Sequence, residues 1–311
     1  MLALPAALPS FAHAVPLQAP SVGASTDTLR GMIEERLRTL LPAADAHQDR
    51  VGAAMRYGVL APGKRVRPLL VLLAARGFRL DPADVLDAAC ALEMVHAASL
   101  FLDDLPCMDD AKLRRGQPTV HIAFGEDVAM LAAIALLARA WRVTATAAAI
   151  APRVRTDMVA VLSDAVGIEG LVTGQYRDLH AAAGESSRPQ IARTNQLKTG
   201  VLFAAAFEIA SLAAGADART RGLLREAADA LGQAFQLADD LADQEMEPSL
   251  LGKDCRQDVG KSTLVSMVGA RQTRRILAAQ VERAETLIAQ AMPLEHSLPT
   301  LVRTLFASQL H

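Results

Sequence analysis

The stretch that most constrains this chain is His96-Ala-Ala-Ser99-Leu-Phe-Leu102-Asp103-Asp104-Leu-Pro106-Cys-Met-Asp109-Asp110-Ala-Lys-Leu-Arg114-Arg115. An apolar lead with helical spacing runs into a knot of carboxylates and leaves through two arginines. Carboxylates this close repel one another unless a cation lies among them. Aspartate oxygens are hard ligands suited to Mg²⁺, which takes few protein ligands and keeps positions for water and substrate phosphate. Arginines just beyond would meet the same anion through forked hydrogen bonds. Alone, the cluster reads equally well as a solvated acidic turn after a helix. A second acidic cluster would decide the matter.

One exists in Phe235-Gln236-Leu-Ala-Asp239-Asp240-Leu-Ala-Asp243. Asp239 and Asp243 stand four apart, on one face of a helix. Their neighbours are apolar, so the spacing predicts a core-packed helix with carboxylates along one stripe. Acidic side chains are seldom buried without partners. Two such helices suit a diphosphate held between metal ions across a cavity.

The rest of the chain predicts an all-α protein. Of 311 residues, 51% are hydrophobic and only 4% aromatic, which allows a large core with few strand signals. A formal charge of −2 with scattered cations argues against a nucleic-acid partner. Cys90, Cys107 and Cys255 have neither metal-site spacing nor an even count, which fits a reducing cytoplasm. Pro5, Pro9, Pro16 and Pro20 break any helix in residues 1–25, and no cation precedes Arg30, so this stretch reads as a disordered extension and not a signal peptide. The apolar stretch from Ala129 to Ala151 carries Arg139 and Arg142 and reads as a buried core helix, not a membrane span. No repeat or linker divides residues 26–311, which are expected to form one helical domain around a deep cavity.

Further residues bear on an anion site. Pro62-Gly63-Lys64-Arg65-Val66-Arg67-Pro68 sets cations at a helix start, where free N–H groups help bind an anion. Asp81 and Pro82 open a helix expected to reach about Leu102, on which His96, Ser99 and Asp103 form one polar line. A helix is expected over about 156–182, with Gln175 and Asp178 sharing a face. Lys198 heads a strongly apolar helix and needs an anion nearby. The charged loop 244–263 is too long for an idle connection and reads as a lid carrying Lys261. Its Gly-Lys-Ser-Thr lacks both the spacing and the leading strand of a P-loop.

With both clusters in place, the chain resembles the trans-isoprenyl diphosphate synthases over residues 26–311, most closely the bacterial geranylgeranyl diphosphate synthases of carotenoid pathways. The first run matches their long aspartate motif and the second their Asp-Asp-x-x-Asp motif. It departs from many relatives at Leu102 and at Ala133-Ile134. The resemblance implies the isoprenoid synthase fold, a cytoplasmic homodimer, and three Mg²⁺ ions, two of them at the first motif. It implies metal ligation by Asp103, Asp104, Asp109, Asp239 and Asp243. Isopentenyl diphosphate would lie on Lys64, Arg67, His96 and Arg115, and the allylic diphosphate on Arg114, Lys198, Thr199, Gln236 and Lys261. Gln175 and Asp178 would support the metal cavity from behind. Small residues at Ala98 and Ser99, with Met94 and Val95 a turn deeper, would leave room for a C20 product. A farnesyl diphosphate synthase, a class I terpene cyclase and a non-catalytic regulatory subunit are the alternatives.

Overall fold

A computed structural model describes residues 25–43, 49–180, 187–245 and 264–310. Most of the expected N-terminal extension and residues 246–263 of the expected lid, with Cys255 and Lys261, lie outside the described residues.

Helices begin where short polar side chains supply the acceptors that a first turn lacks. The Ser25 side chain accepts from the Thr28 N–H at the head of α1 (Thr26–Leu40), and Asp49 accepts from the Gly52 N–H at the head of α2 (Arg50–Val59). After α3 (Val66–Gly77), Asp81 accepts from the Ala83 N–H and Pro82 opens α4 (Pro82–Asp103). An antiparallel hairpin follows, β1 (Leu113–Arg114) against β2 (Gln117–Pro118), then α5 (Val120–Phe124) and α6 (Glu126–Ala145). Next come α7 (Pro152–Val166), α8 (Leu171–Leu179) and α9 (Arg188–Asn195). A π-helical turn, Gln196–Gly200, leads into α10 (Val201–Ala214). The order ends with α11 (Ala218–Glu245), α12 (Leu264–Val268), α13 (Ala270–Ala291) and α14 (Ser297–Phe306).

Helix α4 lies at the centre, packed along α6 and α3 with α1 and α10 beside it. Leu69, Leu70, Leu72 and Leu73 of α3, Leu92 and Met94 of α4, and Phe203 and Phe207 of α10 are fully buried there. A helix buried on most sides needs no amphipathic stripe, which is why α3 and α4 are apolar around nearly their whole circumference. Helix α11 packs along α13 on one side and α10 on the other.

Two local expectations change, and a hairpin is added to the helices. The helix expected over 156–182 is two helices, α7 and α8, parted by a turn at Gly167–Gly170. A Cβ on Gly170 would sit 2.1 Å from the Ala165 carbonyl oxygen, so only glycine allows that corner. The arginines themselves lie in the hairpin, Arg114 in β1 and Arg115 in the turn, where Arg115 and Gly116 take φ of 55° and 76°, both positive as a two-residue hairpin turn requires. The stretch read as a buried core helix is α6, whose inner side is buried while Met130, Leu131 and Ile134 are exposed. By length and composition α4, α6 and residues 189–214 are apolar enough to cross a membrane. Within the fold, α4 is instead mostly enclosed by its neighbours.

Candidate active site

A cavity of about 520 Å³ opens between α3, α4, α8, the π-turn, α10 and α11. The residues of α4 that reach it are Glu93, His96, Ser99, Leu100 and Asp103, a stripe at helical spacing that ends on the first aspartate. From α11 come Phe235, Gln236, Asp239 and Asp243. Lys64, Arg67, Asp109, Arg114, Arg115, Asp178, Lys198 and Thr199 line the same space. Both aspartate clusters and most of the expected cations therefore share one cavity.

Each charge has a structural reason for its place. Arg65 takes a left-handed backbone, with φ 50° and ψ 39°, and turns its guanidinium inward. There it donates to Glu34 at 2.7 Å, to Glu93 at 2.8 Å and to the Ala61 carbonyl at 3.0 Å. That buried knot pins the loop so that Lys64 and Arg67, on either side, face the cavity. The Arg67 guanidinium rests 5.0 Å above the Phe203 ring, which stacks on Phe235. Burial lowers the Arg67 pKa to about 10, still far above neutrality. Burial and then Arg67, Arg115 and Arg114 hold His96 well below the ordinary histidine value, so it is neutral at pH 7. Arg67 Nη1 lies 3.1 Å from His96 Nε2, and because a guanidinium only donates, Nε2 accepts. The Arg115 guanidinium packs against Gly63, where an added Cβ would lie 3.0 Å from Cζ, and this brings the hairpin to the basic loop.

The two aspartates of the first pair part company. Helix α4 ends at Asp103, and Asp104 caps it. Asp103 faces the cavity, and burial raises its pKa to about 6, with Asp109 and Asp104 adding to the rise against Lys198 and Arg114. Asp104 turns the other way and is buried, holding Arg114 Nε at 2.8 Å and Nη2 at 2.6 Å. It lines a small neighbouring pocket with Tyr57, Gly58 and Phe101. Asp104, expected among the metal ligands, lies outside the cavity lining and orients Arg114, since the helix end sends consecutive side chains in different directions. In the second pair Asp240 is likewise buried and accepts from Gln236 Nε2 at 2.8 Å, while Asp239 and Asp243 line the cavity.

On the far wall, burial opposes the Lys198 charge, but Asp178, Asp109 and Asp103 together raise its pKa, and its ammonium donates to Asp178 at 2.7 Å. Gln175 does not reach the cavity lining; its amide is buried without a hydrogen-bond partner among the described residues. Ala98 is fully buried and also absent from the lining, which Ser99 and Leu100 occupy instead, so Ala98 is a core position. Met94 and Val95 are fully buried. Glu93 escaped the sequence analysis, and Arg65, expected among the anion-binding cations, pairs inward with Glu34 and Glu93. Glu93 precedes His96 by one helical step and could have been found from that spacing; Arg65 owes its inward turn to contacts distant in sequence.

Among the described residues no three His, Cys, Asp or Glu side chains converge into a metal cage. Mg²⁺ needs none, because it is held by one or two carboxylates together with water and substrate phosphate. Asp103, half-buried beside other carboxylates and with its pKa raised to about 6, has the local excess of negative charge that a hard cation relieves. The donor set fits the ion.

An all-α bundle with two aspartate-bearing helices and a ring of cations around one cavity defines a protein of the isoprenoid synthase fold. Residues 48–296 match the polyprenyl synthetase family, and the chain belongs to it. It is 46% identical to a geranylgeranyl diphosphate synthase of Pantoea ananas, covering 92% of this chain and 94% of that one. It is 48% identical to a second protein of that name from Pseudescherichia vulneris, covering 86% of each. Among solved structures, an apo FPP/GFPP synthase of Zymomonas mobilis superposes with a TM-score of 0.79 at 32% identity, over 92% of this chain and 97% of that one.

Proposed function

We propose that this chain is a Mg²⁺-dependent geranylgeranyl diphosphate synthase, which joins isopentenyl diphosphate head to tail to C5, C10 or C15 allylic diphosphates and stops at C20. The observation that carries this is one cavity lined by both aspartate stripes and by Lys64, Arg67, Arg114, Arg115 and Lys198. The two geranylgeranyl diphosphate synthases similar over most of the chain support the product length.

In this proposal Arg114, Lys198, Thr199, Gln236 and Lys261 hold the allylic diphosphate, and Lys64, Arg67, His96 and Arg115 hold isopentenyl diphosphate. Asp103, Asp109, Asp239 and Asp243 would hold Mg²⁺, as three ions with two at the first motif, and the metal would supply positive charge to the leaving diphosphate. Preset cations stabilise the charge that builds on the leaving oxygens without having to reorganise. The allylic C–O bond breaks, a C–C bond forms to the isopentenyl double bond, and a proton leaves to the released diphosphate. Leu100, Leu202 and Phe235 give the cavity an apolar wall that keeps water from the cation.

Incubation with Mg²⁺, isopentenyl diphosphate and each allylic starter, followed by chromatography of the products, is expected to give C20 from all three. A C15 end product would overturn the chain length. Consumption of farnesyl diphosphate without isopentenyl diphosphate would point to a cyclase instead. A homodimer belongs to the same proposal. Met130, Leu131 and Ile134, at 43%, 53% and 62% exposure, form an apolar stripe on α6 that a second copy would cover. Light scattering is expected to find a dimer that Ile134→Asp converts to monomer. A cytoplasmic place and a supply role in terpenoid synthesis, carotenoids included, rest on the family resemblance.

A further inference from the structure

Lys198 and Thr199 reach the cavity from an irregular piece of helix, the π-turn Gln196–Gly200. Such a turn inserts an extra residue at a cost in helix geometry and recurs at functional sites. Two glycines from other helices meet it backbone to backbone. A Cβ on Gly232 of α11 would lie 2.6 Å from Gly200 Cα and 3.1 Å from its nitrogen. A Cβ on Gly174 of α8 would lie 2.5 Å from the Lys198 nitrogen and 2.8 Å from its Cα. These are main-chain atoms, so no side-chain rotation relieves the clash. The fit is one-sided, since a Cβ on Gly200 would come no nearer than 3.9 Å to Gly232 Cα.

Polar contacts steady the α11 side. Gln196 Nε2 donates to Asp229 at 2.8 Å, and Gln233 Nε2 donates to the Ala192 carbonyl at 3.0 Å. On the α8 side Lys198 itself donates to Asp178 at 2.7 Å, whereas the Gln175 amide, next to Gly174, has no partner among the described residues, so close backbone packing at Gly174 is what fixes the turn's main chain there. Glycine inside a helix is less stable than alanine by roughly 0.5–1 kcal/mol, so each is a poor choice unless the contact requires it. On α11, Gly232, Gln236, Asp239 and Asp243 follow one stripe at spacings of four, three and four. The surface that seats the π-turn is thus continuous with the one that carries the second aspartates.

We propose that Gly174 and Gly232 are positioning residues: their bare backbones seat the π-turn and set where Lys198 stands relative to the carboxylates of α11. This rests on the proposed role of Lys198 toward the allylic diphosphate. A displacement of about 1 Å in a positioning group can cost on the order of a hundredfold in rate.

The test compares Gly174→Ala and Gly232→Ala with Gly222→Ala, a control on the same helix as Gly232 with open space around it. Each is made alone and together with Lys198→Met. Steady-state kinetics and calorimetric titration with inorganic diphosphate in Mg²⁺ buffer are the readouts. Gly222→Ala is expected to match the parent. Gly174→Ala and Gly232→Ala are expected to lose about 10- to 100-fold in turnover and to bind diphosphate more weakly, yet to add less than about twofold in the Lys198→Met background. Full additivity in that background, or parent-like single variants, would overturn the inference. Should an alanine variant not fold, Asp229→Ala loosens the same turn without crowding it and must give the same non-additive pattern with Lys198→Met; additivity there overturns the inference as well. A parent protein that binds diphosphate but condenses nothing would instead defeat the proposed function.

Discussion

Helices α4 and α11 each carry an Asp-Asp pair to the same cavity, and they do so by different means. On α4 the pair falls at the helix end, so Asp103 enters the cavity while Asp104 leaves it to hold Arg114. On α11 the pair lies within the helix, and the aspartate one turn later, Asp243, restores a second carboxylate to the same stripe as Asp239. The first cluster is consequently a half-buried charge with arginine and lysine built in around it. The second presents Asp239 exposed. One dipeptide thus gives two electrostatic settings, according to where the helix stops.

The largest test of that contrast asks whether both settings are needed. Asp103→Ala and Asp239→Ala are each expected to lower turnover about a thousandfold, equal to about 4 kcal/mol of barrier, measured as incorporation of labelled isopentenyl diphosphate. Chelator treatment of the parent is expected to abolish turnover, with recovery on adding Mg²⁺. If either variant works near normally, the two helices do not share one metal-dependent task.

The aspartate spacing, the capped start of α4 and the polar line His96–Ser99–Asp103 were legible in the sequence because each rests on contacts within a few residues. The inward Arg65 was not, since its partners Glu34 and Glu93 come from α1 and α4. Nor was the outward turn of Asp104, which depends on Arg114 folding back through a hairpin whose corner holds a non-glycine residue at positive φ. The break at Gly167–Gly170 was missed for a related reason. The apolar periodicity carries on across it, and although Gly167 and Gly170 hint at a break, the clash with the Ala165 carbonyl that fixes the corner appears only in the fold. The π-turn leaves no spacing signal at all.

A finer test concerns protons. With a folded pKa of about 6, above its ordinary value of 3.8, Asp103 takes up a proton more readily in the folded, metal-free protein than in the unfolded chain. Its contribution therefore favours folding below about pH 4 and is lost as pH rises through about 6. Metal-free Asp103→Asn is expected to be more stable than the parent at pH 7.5, by about 1–2 kcal/mol after allowing for partial exposure, and the gap should close by pH 4. Mg²⁺ binding at pH 6 is expected to release a fraction of a proton, seen by calorimetry in buffers of different ionisation enthalpy. Asp103→Asn should remove that release. A parent protein whose binding releases no proton at pH 6 would show that burial does not set the first cluster apart.

The smallest expected effect on rate has the clearest effect on product, and it sharpens what the α4 stripe does below the aspartates. Ser99 lies one helical turn, about 5.4 Å, behind Asp103, lines the cavity, and donates its hydroxyl to the His96 carbonyl at 2.9 Å. Ala98 sits beside it in sequence but faces the fully buried interior of the bundle. The two positions are therefore not equivalent, although both precede the aspartates by about a turn. Ser99→Phe is expected to fill the cavity at that depth and shift the main product from C20 toward C15, with Mg²⁺ affinity unchanged. Ala98→Phe is expected to overpack the core, costing about 1–3 kcal/mol of stability, read as a lower melting temperature. Chromatography of the two products decides between them. A C15 shift from Ala98→Phe with Ser99→Phe still making C20 would mean that the growing chain leaves the cavity through the α4 core, and the stripe would then be the roof of the product site instead of its wall.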